Sequence, residues 1–249
     1  MYDARPMRAT GPVFVGLLLL ASASPAFSWT AATRVVMIDD AMKLMPPSLR
    51  MVLEKRRDDV LRGMLEPLTQ EDAMEHRPPS EGGTIEAKVD AAARDLVAGV
   101  ATRVSFHDVA RRFGVLAHYV ADAGFPPGAA GTAGTPRYAH FGAFCETRRA
   151  RFPFVFYGHD NPALSKDDFK SFTLAILTRA RAEDATLARA YAQAGGGNDA
   201  VEFDDRSIPF AIASLSYSHS VTDIVQAWLA AWRECHGDFG GTPYQGAKP

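Results

Sequence analysis

Apolar residues recur at helical spacing along almost the whole chain, and this pattern restricts the possible folds more than any other feature. From Trp29 the repeat falls at intervals of three and four residues until Pro46 and Pro47 end it. Further repeats run over residues 49–64, 84–100, 141–151, 166–194 and 207–235, and another starts at 105. Strand-type alternation is absent from the sequence. The pattern predicts an all-α protein with a single multi-helix domain over residues 29–249.

Three connecting segments interrupt the helical repeats. Residues 66–83 are rich in proline and glycine and are typical of a loop. Residues 124–137 contain mostly Gly, Ala, Pro and Thr, with little to bury, so they predict a mobile loop. Residues 152–158 are apolar and aromatic, and since one short run cannot form a sheet, we interpret them as a buried connection.

The first 28 residues are typical of a secretory signal peptide. An apolar run over residues 13–23 follows two arginines, and small residues at Ala26 and Ser28 suit cleavage directly before Trp29. A membrane anchor is less favoured, because the run has about eleven apolar residues and a spanning helix needs roughly 20. We expect residues 1–28 to be removed, the protein to be secreted or periplasmic, and no transmembrane segment to remain.

Charge and cysteine content exclude several classes of protein. The chain has 27 basic and 29 acidic residues, so it lacks the basic excess that a stable nucleic-acid complex requires. Two cysteines are too few for a disulfide scaffold or a four-thiolate zinc site. In an oxidising compartment Cys145 and Cys235 could form one bridge, or both could be buried free thiols. Any metal must therefore be held by histidine and carboxylate.

The most specific local pattern is His118-Tyr-Val-Ala-Asp122. A His and an Asp four residues apart on a helix project from one face about one turn apart, so they can share one ion. Taken alone, such a pair is more commonly a simple hydrogen-bonded pair. His219 and Asp223 repeat the spacing near the end of the chain, and there we favour the hydrogen-bonded pair over a second set of ligands.

The sequence around His118 changes this balance. Residues 118–128 resemble the H-Y-x-[G/T]-D-x-[D/N/S]-x-P-x-H signature of the zinc-dependent phospholipase C and single-strand nuclease superfamily. Mature chains of that family begin with a tryptophan whose amino nitrogen and carbonyl oxygen bind zinc, and the expected cleavage exposes Trp29. Residues 29–46 and 206–232 are similar to the family's first helix and to the closing helix of bacterial relatives. The resemblance implies an all-α fold, zinc and phosphodiester hydrolysis.

Three departures from the family pattern imply a degenerate metal site. Arg34 stands where the family often has a histidine for the site at the terminal tryptophan, and a guanidinium cannot ligate zinc. Gly128 replaces the last histidine of the signature. His140 and Glu146 are six residues apart instead of the family's four. They could still meet as ligands if a helix begins between them, and otherwise they are a surface histidine and a solvated glutamate.

For the first zinc, the resemblance implies an acidic residue and a histidine from the loop before the signature helix. This chain offers Glu66, Glu71, Asp72, Glu75 and His76 there. We select His76, with Glu66 ahead of Asp72. Together with His118 and Asp122 they would form a mixed nitrogen and oxygen site with room for water, as catalytic zinc requires. One ion is expected, against the family's three.

These observations predict an exported, zinc-dependent phosphodiester hydrolase of the phospholipase C type. Its substrate would be a small phosphodiester or phospholipid, with a nuclease substrate also open. Glu66 and Asp122 would orient or deprotonate the attacking water, and the fork of Arg34 would suit a phosphate oxygen. The alternative, motivated by Arg34 and Gly128, is a metal-poor, inactive relative that acts as a binding or structural protein. The oligomeric state stays open.

Overall fold

Helices and short connections make up the part of the chain that the structure describes. The structure is a computed structural model that describes residues 28–70, 73–132, 134–195 and 202–245. The helices are α1 (Ala31–Lys43), α2 (Pro47–Lys55), α3 (Arg57–Leu65), α4 (Pro67–Gln70), α5 (Ile85–Ala101), α6 (Phe106–Ala123), α7 (Pro126–Ala129), α8 (Pro136–Arg148), α9 (Phe169–Gln193) and α10 (Ile208–Glu234). Within these ranges there is no strand, so the all-α prediction is confirmed. No described helix has both the length and the apolar character needed to cross a bilayer.

Capping side chains and prolines set where the helices begin. Ser105 caps α6 by accepting a hydrogen bond from the Asp108 amide at 3.1 Å, as its position before the repeat predicts. The predicted helix over 49–64 is instead two helices, α2 and α3, which meet at Arg56. Helix α2 begins at Pro47, whose missing N–H costs nothing in the first turn.

Two predictions about the connections are wrong. The segment after α6 is buried at its start rather than mobile, because Phe125 packs edge-on against Trp29 and Tyr138 at ring distances of 5.1 Å each. The segment 152–158 is extended but largely exposed, since its backbone lies along the outer face of α10. The small residues of the first segment suggested exposure, and the apolar residues of the second suggested burial. In both cases the composition did not reveal whether the core covers the connection.

Helix α6 lies at the centre of the fold and carries His118 and Asp122 of the signature. It packs against α3, α5 and α10. The Trp228 indole on α10 meets the Phe113 ring edge-on at 5.6 Å, and its N–H donates to the Phe113 carbonyl at 2.9 Å. This contact satisfies the one polar group of a fully buried indole. The packing holds α6 in place and directs its last two turns into the protein.

The two cysteines are free thiols. Cys145 on α8 is buried, and Cys235 after α10 is half-buried. Burial raises the pKa of the Cys145 thiol well above its ordinary value, which keeps it protonated and unreactive. Of the two alternatives left open by the sequence, the structure has the unbridged one.

A close approach of α3 and α6 depends on two glycines, and this gives a first prediction. A Cβ atom at Gly63 would overlap with the carbonyl oxygen of Arg111, and a Cβ atom at Gly114 would overlap with that of Val60. We expect Gly114→Ala to destabilise the protein by about 2–3 kcal/mol, because the helices must separate. Urea unfolding checks this. Gly142→Ala in α8 is the control, since its Cβ meets nothing within 4 Å and should stabilise by about 0.5–1 kcal/mol. Equal effects would contradict the packing argument.

Candidate metal centre

Three of the predicted ligands meet in one buried cluster. His118 and Asp122 project from one face of α6, a turn apart, and His76 reaches them from the 3-10 turn Ala73–His76. The exposed fractions are 0% for His118, 2% for Asp122 and 8% for His76. One ligand atom from each residue lies within 4.8 Å of the others. Among the described residues this group has the composition and spacing of a metal site.

The distances between the ligand atoms can be compared with those around zinc. His118 Nε2 lies 3.3 Å from His76 Nδ1 and 3.2 Å from Asp122 Oδ2. A tetrahedral ion with Zn–N bonds of about 2.0–2.1 Å holds its ligand atoms about 3.3 Å apart. His76 Nδ1 and Asp122 Oδ2 are closer, at 2.6 Å, which is a hydrogen-bond length. A proton is held between these two atoms, and binding of an ion requires its release.

A backbone contact fixes the orientation of His118. Its Nδ1–H donates to the Met64 carbonyl at 2.8 Å, which leaves the lone pair of Nε2 directed at His76 and Asp122. Burial lowers the pKa of His118, and the Arg34 charge lowers it further, against the opposing effect of Asp122. The imidazole is therefore neutral at neutral pH, which is the form that binds a metal ion.

Asp122 is an ionised carboxylate with a different partner on each oxygen. Oδ2 faces the two imidazoles, while Oδ1 forms a buried ion pair with the Arg34 guanidinium. Burial raises the pKa of Asp122, but the Arg34 charge and the hydrogen bond from His76 outweigh this and hold it well below its ordinary value. The carboxylate is thus charged across the physiological range, as a metal ligand must be.

Arg34 and Trp29 lie behind the ligands, away from solvent. The Arg34 Nε donates to the Trp29 carbonyl at 3.0 Å, and the Arg34 side chain is fully buried. The Trp29 ring packs against Phe125 and Tyr217. The structure therefore places Arg34 where a substrate in solvent does not reach it, and it uses the Trp29 carbonyl, a predicted zinc ligand, as a hydrogen-bond acceptor.

The other predicted site residues lie outside the cluster. The Glu66 carboxylate accepts from Arg111 at 2.7 and 2.8 Å. His140 forms a 2.6 Å hydrogen bond with the Tyr191 hydroxyl, and Glu146 is exposed. Because α8 begins at Pro136, both belong to one helix, where six residues separate them by about 9 Å along the axis and turn them to different faces. The condition under which they would meet is therefore not fulfilled. Glu71 and Asp72 lie outside the described residues.

His219 and Asp223 do not pair with each other. His219 stacks on Tyr157 at 4.2 Å, and Asp223 forms an ion pair with Arg179 of α9. Our preference for a hydrogen-bonded pair was wrong, because α9 lies alongside α10 and supplies a cation for Asp223. Spacing along α10 alone does not reveal such a partner.

The position of Glu66 gives a second prediction. Since its partner Arg111 is partly exposed, Glu66→Gln should leave zinc affinity unchanged and cost less than about 1 kcal/mol of unfolding free energy. Calorimetric zinc titration and urea unfolding measure the two quantities. Glu54→Gln, which removes a similar exposed pair with Arg50, is the control. A tenfold loss of zinc affinity in Glu66→Gln alone would make Glu66 a ligand after all.

An all-α fold around a buried cluster of two histidines and one carboxylate is thus the class that the structure defines. Its fold matches that of the alpha-toxin of Clostridium perfringens, from avian strain SWCP, with a TM-score of 0.63 and 13% identity over 85% of this chain and 66% of the toxin. It also matches the alpha toxin of Clostridium absonum, with a TM-score of 0.61 and 15% identity over 84% of this chain and 64% of the toxin.

These matches establish the fold and no more, because the identities are low. The predicted all-α, multi-helix fold is confirmed, and it is shared with the two alpha-toxins. The chain spans about two thirds of the length of the two toxins. No protein-family model matches the sequence, and no curated protein matches it. The nuclease part of the resemblance stays a prediction.

Proposed function

We propose that this protein is an exported, zinc-dependent phosphodiester hydrolase of the phospholipase C type, with one ion at His76, His118 and Asp122. The convergence of three buried ligand atoms, from α6 and from the 3-10 turn Ala73–His76, carries the proposal. Two imidazole nitrogens and one carboxylate oxygen suit zinc, and three protein ligands leave a position for water. The fold shared with the two alpha-toxins supports the same reading.

The donor set fits the ion in charge as well as in geometry. A bound zinc ion would lower the pKa of its water and neutralise charge that develops on a phosphodiester. Asp122 is the one anion of the cluster, and Arg34 already balances it. The charge of a bound ion would therefore stay uncompensated by the cluster, which favours an anionic substrate such as a phosphodiester.

The chain's own residues have distinct tasks in this proposal. His118 presents a lone pair that the Met64 carbonyl orients. His76 gives up its Nδ1 proton, which Asp122 holds in the absence of an ion. The Tyr119 ring packs against both imidazoles, at 5.2 Å from His118 and 5.8 Å from His76, and restricts their rotation. These contacts hold the ligands close to their binding positions before the ion arrives.

The substrate class and the export of the protein are part of the proposal. We favour a phospholipid headgroup or another small phosphodiester over nucleic acid, because the net charge of -2 provides no basic surface excess. Residues 1–28 would be removed and residues 29–249 would form the mature domain. Ser28 is the only residue of the proposed signal peptide within the described ranges. Sequencing the N-terminus of secreted protein should give Trp29.

Metal depletion tests the activity. Secreted protein is stripped with a chelator, reloaded with zinc, and assayed on a chromogenic phosphocholine diester, phosphatidylcholine vesicles and single-stranded DNA. We expect hydrolysis of a choline phosphodiester that disappears with the metal and returns with it. Faster cleavage of DNA would move the proposal to a nuclease. Zinc binding without hydrolysis of any diester would contradict the enzyme and favour a binding protein.

A further inference from the structure

We propose that the Arg34 guanidinium is a built-in second cation of this centre, which fills a polar site beside the metal ligands and limits the centre to one ion. The inference deepens the proposed function, since Asp122 serves both cations. It concerns the chain's own residues, so it can be tested by stability and metal content without any assay of activity.

The surroundings of Arg34 are those of a bound cation. Its guanidinium is fully buried and contacts polar atoms from two parts of the chain, the segment before α1 and the helix α6. Nε donates to the Trp29 carbonyl at 3.0 Å. Nη1 lies 3.1 Å from His118 Nδ1 and donates to the His118 carbonyl at 3.4 Å. Nη2 donates to Asp122 Oδ1, and also to the hydroxyl of Ser28, which the proposed cleavage would remove. One carboxylate and several uncharged polar atoms thus surround the buried charge, as a cation inside a protein requires.

Asp122 bridges the two cation positions. Its Oδ2 lies 3.2 Å from His118 Nε2 and 2.6 Å from His76 Nδ1, while its Oδ1 is paired with Arg34. Paired metal sites place two positive charges about 3.5–4 Å apart around the reacting group. In this protein one of the two positive charges belongs to the Arg34 side chain. It is paired with Asp122 Oδ1, the oxygen that faces away from the imidazoles.

The local structure explains why Arg34 reaches this position. Arg34 lies in the first turn of α1, where its amide donates to the Thr30 carbonyl at 3.0 Å. From there its side chain reaches Asp122 on α6. A guanidinium stays charged at all ordinary pH values and cannot be removed by a chelator. We therefore expect Asp122 to stay ionised and in place when zinc is absent.

Removal and replacement of the guanidinium tests the inference. Arg34→Ala leaves a polar space of guanidinium shape beside an unbalanced carboxylate. We expect a lowered melting temperature that millimolar guanidinium raises, while the same concentration of urea, which is neutral and of similar shape, does not. We also expect zinc content to rise from one ion per chain to two. Arg149→Ala is the control, because Arg149 bonds the exposed end of α1 through the Ala32 carbonyl.

The outcomes separate this inference from the proposed function. If Arg34→Ala gains neither a second zinc ion nor stability from guanidinium, Arg34 is only an ion-pair partner and the inference fails. If the unaltered protein binds no zinc, the proposed function fails, but rescue by guanidinium still tests Arg34. Should Arg34→Ala not fold, Arg34→Lys takes its place. We expect Arg34→Lys to keep one zinc ion per chain and to have a lower melting temperature than the unaltered protein. A zinc content of two ions or none would overturn the inference.

Discussion

His118→Ala is expected to lower zinc affinity by more than about 100-fold, since loss of a hydrogen-bonding partner behind a ligand already costs 10–100-fold. Three protein ligands hold the proposed ion, and His118 supplies the atom that lies about equally far from the other two. Hydrolysis should disappear together with the metal. Competition against a chromophoric chelator measures the affinity, and initial rates on a phosphocholine diester measure the activity.

His107→Ala is the matched control for this prediction. His107 lies on the same helix, forms a 2.6 Å contact with Asp59, and is partly exposed. Its removal should leave zinc affinity and hydrolysis unchanged. An unaltered zinc affinity in His118→Ala would contradict the account, because no other described group of the chain has the geometry of a metal site.

Asp122→Asn is expected to cost about 3–5 kcal/mol of unfolding free energy, because it leaves the buried Arg34 charge without its partner. Such a loss is a large part of the roughly 5–15 kcal/mol that stabilises an ordinary domain. The native pKa of Asp122 is depressed, so the carboxylate stabilises the fold above its unfolded pKa, and this contribution is lost as pH falls through the native pKa. Urea unfolding at pH 7 and in acid measures both effects. The difference in unfolding free energy between Asp122→Asn and the unaltered protein should shrink in acid.

Asp223→Asn provides the control for a buried aspartate in an ion pair. Burial raises the pKa of Asp223 to about 6, and its partner Arg179 is 32% exposed and can turn to water. We therefore expect a cost at pH 7 clearly below that of Asp122→Asn. An equal loss of unfolding free energy in the two variants would mean that the Asp122–Arg34 ion pair stabilises the fold no more than the Asp223–Arg179 pair does.

The sequence predicted those parts of the site that depend on local spacing. His118 and Asp122 lie one turn apart on α6, so a single helix brings them together. Predicting His76 required the resemblance, because its distance from His118 along the chain reveals no contact. The pairing of Glu66 with Arg111 and the buried position of Arg34 depend on how separate helices pack, and no local pattern encodes that.

The same distinction applies to the fold. Helical periodicity and caps such as Ser105 located most helices to within a few residues. The segment that follows α6 was misread because its small residues outnumber one decisive aromatic, Phe125, which packs between Trp29 and Tyr138. The Met64 carbonyl, which orients His118, is a backbone group whose role no sequence pattern could have indicated.

A crystal structure of the zinc-loaded protein, with anomalous scattering at the zinc edge, tests the central claim most directly. The account predicts one zinc peak, about 2.0–2.2 Å from His76 Nδ1, His118 Nε2 and Asp122 Oδ2. The Arg34 guanidinium should remain on Asp122 Oδ1. A peak at the Trp29 carbonyl with Arg34 displaced, a peak coordinated by Glu66, or no peak at His118 would contradict the single-ion centre.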